Sequence, residues 1–230
     1  MDKLVQVEIE GYKSLKKVDL SLGDINVLIG SNGSGKTNFI SLFKMLNFMV
    51  SEGLQLFVSR AGGANSLLHY GAKQTPQMRV VLHFQDEYHS ERCYLIRLMD
   101  AAPDTLIFAE ETVSYKAKNW LNPKTLLVEV GGHKESKLPA RGKQYVKDIT
   151  QKIVLKILRE CRVFQFHDTS DTAYIRRQNE IYDNKYLRSN AGNLAAFLYM
   201  LKESKPDYYE QINSTIKLAA PHFGDFLLQP

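Results

Sequence analysis

Gly30-Ser31-Asn32-Gly33-Ser34-Gly35-Lys36-Thr37 is the stretch on which the reading of this chain turns. It satisfies G-x-x-x-x-G-K-[ST], and each residue type in it answers a need of a bound polyphosphate. Glycines at 30, 33 and 35 let the backbone take positive φ and approach phosphate oxygens with no Cβ in the way. The N–H groups so gathered open onto a helix N-terminus, which adds partial positive charge where an anion would sit. Lys36 is the point charge for the β- and γ-phosphates, and the Thr37 hydroxyl is an oxygen ligand for Mg²⁺. The flanks agree with that reading. Ile25-Asn26-Val27-Leu28-Ile29 reads as a short buried strand. After Thr37, the residues Phe39, Ile40, Phe43, Leu46 and Phe48 or Met49 recur at near-helical spacing.

Composition narrows the class. At 230 residues the chain can bury one large core or two smaller ones. No run reaches the roughly 20 apolar residues of a membrane span. The opening residues alternate Val5, Val7 and Ile9 with Gln6, Glu8 and Glu10, so they read as a strand and not as a signal peptide. Cys93 and Cys161 are the only cysteines, each in an apolar segment. They read as core thiols of a reducing cytoplasm, without metal spacing. The net charge of +5 is uneven: from Lys116 to Arg162, twelve lysines and arginines face four acids, Glu129, Glu135, Asp148 and Glu160. Such a segment suits a polyanion, or simply a solvated lysine-rich face.

Along the chain, residues 3–10 and 17–22 alternate around Gly11-Tyr12-Lys13-Ser14 and predict a hairpin. Residues 1–60 thus form the hairpin, the phosphate-loop strand and its helix, with Arg60 entering a loop marked by Gly62, Gly63 and Gly71. Residues 61–135 hold four strand-like segments, near 77–86, 92–99, 105–115 and 125–131, whose alternation predicts an antiparallel meander. Residues 136–230 read as a helical lobe with one core strand. In it, Val146, Ile149, Ile153 and Ile157 make an apolar stripe on a 142–160 helix, with Lys152, Lys156 and Arg159 on another, solvent-directed face. Arg162 to Phe166 reads as a strand, Asn193–Leu201 and Pro206–Ala219 as helices, and Phe223 to Leu228 as the start of another strand. An apolar strand ending in Asp or Asp-Glu, which would hold Mg²⁺ and polarise water, is missing. Asp100, Asp168 and Asp225 all lack four aliphatics before them, so the chain is expected to stop short of that strand.

With those residues in view, the chain resembles the N-terminal part of a RecF- or SMC-like ATPase of the ABC-type P-loop group. Among these it looks most like the AAA family ATPases grouped with the overcoming-lysogenization-defect (OLD) proteins. The resemblance rests on the opening strand with Gly11-Tyr12-Lys13-Ser14-Leu15 and on Asn26 through Asn38. It extends to Arg60 with Gly62-Gly63, which is similar to the arginine loop of such heads. It continues through Phe166-His167-Asp168-Thr169-Ser170, Asp183-Asn184, Leu187-Arg188 and Gly192 to Leu198. The resemblance implies an α/β P-loop NTPase fold like an ABC or SMC head: a mixed sheet with an antiparallel β-subdomain and a helical segment. It implies ATP and Mg²⁺ as cofactors, held by Gly30 to Asn38 with Arg60. By the same likeness, Gln165 or Asp168 would take the place of the Q-loop and contact Mg²⁺ and the γ-phosphate. Signature motif and switch histidine are absent from the sequence, so a fragment of a longer protein, or a lobe completed by another chain, is expected. Such a lobe would bind ATP with negligible turnover, and in the complete protein two heads would sandwich ATP as a homodimer.

Two functions are consistent with this. One is the ATP-binding lobe of an ATPase acting in DNA repair, genome maintenance or phage defence, with ATP use coupled to DNA. The alternative is an ATP-dependent switch that binds and controls an effector protein without touching DNA. A small-molecule kinase or GTPase fits worse, because no guanine-reading Asn/Thr-Lys-x-Asp motif is present and a long antiparallel block does not suit a parallel kinase sheet.

Overall fold

Alternation does decide the first half of the molecule. In the computed structural model, which describes residues 2–129, 131–139, 149–164, 166 and 170–229, the chain divides into two compact units, one through Arg162 and one from Val163. The first is built on a six-stranded antiparallel sheet. Its strands are β1 (Lys3–Tyr12), β2 (Leu15–Ser21), β3 (Gln77–Gln85), β4 (Glu91–Ala101), β5 (Thr105–Lys116) and β6 (Lys124–Glu129), in the order β2-β1-β3-β4-β5-β6. The hairpin and the meander thus share one sheet.

One face of that sheet is apolar. Val7 and Ile9 of β1, Val80 and Leu82 of β3, Tyr94 and Ile96 of β4 and Phe108 of β5 are buried, as period-2 alternation requires. Helices α1 (Lys36–Val50), α2 (Leu54–Arg60) and α3 (Ile149–Glu160) cover it through Leu42, Met45, Leu46, Met49, Leu54, Val58, Val154 and Leu158.

A buried carboxylate ties the segment after β6 to this core. Glu111 of β5 is fully buried and accepts hydrogen bonds from the Tyr94 hydroxyl at 2.6 Å, the Ser136 hydroxyl at 2.5 Å and the Lys137 backbone N–H at 3.0 Å. His133 Nε2 lies 3.3 Å from its other oxygen. Burial, with the Glu111 charge beside it, pushes the Tyr94 hydroxyl well above its ordinary range. Glu135 in the same segment accepts from the N–H groups of Leu54 and Gln55, at 2.7 and 3.0 Å, and so caps α2.

The second unit contains a helical hairpin, α4 (Leu194–Ser204) and α5 (Pro206–Ala219), packed through Leu198, Leu201 and Tyr209. Pro206 begins α5, where its missing N–H costs nothing. Asp225 accepts from the Tyr209 hydroxyl at 2.6 Å, Asn213 Nδ2 at 2.9 Å and Lys202 Nζ at 3.2 Å, and these donors hold its carboxyl far below the usual range. Buried Asn193 folds the loop before α4 by bonding the carbonyls of Asp183 and Tyr186, each at 2.8 Å.

Several expectations fail, each for a physical reason. Ile25–Ile29 is not a strand: among the described residues no neighbouring strand pairs with it, and an unpaired strand gains neither ladder bonds nor burial. The same holds for Arg162–Phe164 with Phe166, and for Phe223–Leu228, which have no strand geometry. In α3 the buried stripe is Val154, Leu155 and Leu158, while Ile149 is exposed and Ile153 and Ile157 are half-buried. The isoleucines marked the wrong phase, because the leucines beside them fill the sheet face. Val146 lies outside the described residues. Arg60 closes a helix, α2, instead of sitting in a loop.

Candidate nucleotide-binding site

The phosphate loop becomes the start of α1. Gly35 is the residue before the helix, at φ 97°, and no side chain caps the helix end there. The first N–H groups of α1 are therefore left for an external acceptor. A Cβ at Gly35 would stand 2.8 Å from Leu15 Cδ2 and 3.2 Å from Ser14 Oγ, so the β1–β2 turn presses directly on the loop. Gly33 also has positive φ, at 84°. Gly30 does not share it; its need is for close approach, since a Cβ would lie 2.8 Å from Ser34 Oγ.

Lys36 reaches back over the loop it belongs to. Its Nζ donates to the carbonyls of Gly30 and Ser31, both at 2.7 Å, and to Ser34 Oγ at 3.2 Å. This holds the ammonium on the loop, and Thr37, the next residue of the helix, is exposed. Ser31, Asn32, Gly33 and Ser34 are exposed. Asn38 looks the other way and donates to Ser14 Oγ at 2.7 Å, binding α1 to the β1–β2 turn.

That turn is the part of the site sequence reasoning missed. Tyr12 and Lys13 both meet the hydroxyl of Ser41 on α1, at 2.9 and 3.1 Å. Burial, and then the charge of Lys44, holds the Lys13 ammonium below its ordinary range, while burial pushes the Tyr12 hydroxyl up to about 12. The loop after α2 closes on the same turn, with Lys13 N–H on the Leu67 carbonyl at 2.8 Å.

Of the other candidate residues, Arg60 is not gathered here. Arg60 stands over the Phe48 ring, its guanidinium carbon 5.9 Å from the ring centroid. Phe48 lies three turns along α1 from Lys36, roughly 18 Å at 1.5 Å per residue. Gln165 and Asp168, with His167 and Thr169, lie outside the described residues.

The set fits a nucleoside triphosphate. An uncapped helix N-terminus, an ammonium held on the loop before it and a small exposed hydroxyl match polyphosphate oxygens. A single protein oxygen also suits Mg²⁺, which keeps waters and phosphate oxygens as its other ligands. Among the described residues no cluster of three or more His, Cys, Asp or Glu could hold a metal ion by itself.

The family model for the AAA ATPase domain matches residues 3–216. The chain belongs to that family, and nucleotide binding follows from the membership. No curated protein matches the chain. Among solved structures it is similar to one from work on ATP-driven dimerisation and DNA-stimulated activation of SMC ATPases. The identity is 17% and the TM-score 0.34, over 91% of this chain and 96% of that one. It is also similar to the Smc head domain with a coiled coil and joint derived from Pyrococcus yayanosii, at 16% identity and TM-score 0.35, over 96% of this chain. The chain spans 37% of that protein's length. Among the described residues no helix is long and apolar enough to cross a membrane.

Proposed function

We propose that residues 30–38 bind ATP with Mg²⁺, and that the domain is the ATP-binding lobe of a RecF- or OLD-like ATPase. The observation that carries the reading is the uncapped N-terminus of α1 at Gly35, with Lys36 Nζ held on the carbonyls of Gly30 and Ser31. The β- and γ-phosphates would take the N–H nest and Lys36, and the Thr37 hydroxyl would meet Mg²⁺. In the complete protein, two such heads would enclose ATP as a homodimer in the cytoplasm. ATP use would then be coupled to DNA in repair, genome maintenance or phage defence. Support for DNA comes from Lys152, Lys156 and Arg159, which share the exposed face of α3. A second reading, an ATP-dependent switch acting on an effector protein, is favoured by the apolar groove of about 520 Å³ on α4 and α5. Phe197, Leu201, Ile212 and Ile216 line it.

Titration with a fluorescent ATP analogue tests the site. Lys36→Ala should abolish binding, because it removes the charge facing the phosphates, and leave the circular dichroism spectrum unchanged. Equal affinity in both proteins would overturn the assignment.

A further inference from the structure

The face of the sheet turned away from the helices carries a cleft of about 730 Å³. Its floor is one row of side chains across four strands. Register places Lys17 opposite Glu10, Glu10 opposite Arg79, and Arg79 opposite Arg97. Lys16 and the loop carrying His69 and Tyr70 form the wall. Of the charged residues lining it, four are cations (Lys16, Lys17, Arg79, Arg97) and one, Glu10, is an acid.

The electrostatics of the row are unfinished. Two arginines directly opposite each other on β3 and β4 repel, and the sheet alone gives no reason for such a pair. Carboxylates on the flanks compensate in part: Glu8 with Arg79 at 3.0 Å, Glu110 with Arg97 at 3.3 Å and Glu10 with Lys17 at 3.1 Å. These are solvent-exposed or half-exposed pairs of the kind that contribute little and exchange readily for another anion. Arg97 Nε is buried with no hydrogen-bond partner.

The wall adds aromatic surface. Tyr70 is 84% exposed and held at φ 57°, a strained conformation for a bulky residue. His69 supports it, the two rings meeting edge to face at 4.4 Å. Because the Lys13 carbonyl can only accept, His69 Nδ1 must be the donor in their 2.6 Å bond, which fixes the ring in place. A groove that joins cations to an exposed ring is the combination that takes phosphates on one side and an unstacked base on the other.

We propose that this cleft binds single-stranded nucleic acid, with its phosphates along Lys16, Lys17, Arg79 and Arg97 and a base against Tyr70. The proposal rests on the ATP reading only for its control. The β1–β2 turn touches the phosphate loop through Ser14 and Leu15 and lines the cleft through Lys16 and Lys17. Nucleotide at Gly35 and a strand in the cleft thus act on neighbouring pairs of one four-residue run, Ser14-Leu15 and Lys16-Lys17.

Fluorescence anisotropy of labelled oligo-dT and oligo-rU of about twenty nucleotides, longer than the roughly 4–16 one such groove covers, tests this on the whole chain without nucleotide. Both strands should bind, since phosphate and base stacking are common to them, and a preference would name DNA or RNA as the source. The double variant Lys16→Gln/Lys17→Gln should reduce the salt slope by about 1.4, at roughly 0.7 per lost contact. Tyr70→Asn, which tolerates the backbone, should weaken binding about tenfold or more, and Tyr70→Phe should restore it. Wild-type affinity in both altered proteins overturns the proposal. So does a duplex bound as tightly as a single strand, or a salt slope lost instead with Gln at 152, 156 and 159. Equal competition by polyglutamate would overturn it in favour of an acidic protein. Failure of the ATP site would show separately, in the analogue titration, with oligonucleotide binding unaffected.

Discussion

Met78-Arg79-Val80-Val81-Leu82 and Ile25-Asn26-Val27-Leu28-Ile29 have the same pattern of four apolar residues and one polar residue in second place. The first is the middle of β3, paired with β1 on one side and β4 on the other, and Val80 and Leu82 are each 1% exposed. The second pairs with nothing among the described residues, and Val27 and Ile29 stand 75% and 90% exposed. Apolar content therefore does not make a strand. Neighbours do, because a ladder supplies the backbone hydrogen bonds and a facing layer supplies the burial. The difference also separates two jobs. β3 organises the core, whereas residues 25–29 lead into the phosphate loop and contribute little to holding the unit together.

Substitutions in the paired run should have the largest effects. Leu82→Ala removes a side chain packed in the core and should cost about 2–5 kcal/mol, read as a fall in the urea midpoint at unchanged slope. A cost below about 1 kcal/mol would break the comparison at its stronger end. Glu111→Gln should come next, at about 1–3 kcal/mol. The amide nitrogen would face groups that donate, since the Tyr94 and Ser136 hydroxyls and the Lys137 N–H all point at this carboxylate. Hydrogen exchange should show the extra opening first in residues 131–138, which this carboxylate pins to the sheet.

How far the sequence was legible follows the same division. The phosphate loop needs particular residue types at fixed spacing, so it could be read without knowing its neighbours. The meander was legible because Met78, Val80, Leu82 and Phe84 alternate with Gln77, Arg79, His83 and Gln85, broken only at Val81, a pattern that suits a half-buried strand. Contacts made at long range left no local trace. Asn38 with Ser14 spans 24 positions, and the burial of Glu111 depends on a segment arriving from beyond β6. The seven-residue α2 is too short to display a period. In α3, isoleucine and leucine are equally apolar, and only the shape of the sheet face picks the phase.

The smallest effect should come from the unpaired run, and it sharpens the comparison most. Val27→Thr exchanges an exposed methyl group for a hydroxyl, and Ile29→Thr an exposed ethyl group. Burying a valine or isoleucine side chain contributes about 1.5–3 kcal/mol, and nothing of that size is available where the side chain already meets water. Each substitution should therefore stay within about 0.5 kcal/mol, the range of surface changes, or roughly 1–2 °C in Tm for a protein of this size. The companion substitution Val80→Thr in β3 makes the same chemical change in the buried run and should cost more, because the new hydroxyl enters an apolar face with no ready partner. If Val27→Thr lowered Tm as much as Val80→Thr, the run would have to be buried in solution, and the contrast between the two pentapeptides would be one of partner and not of exposure.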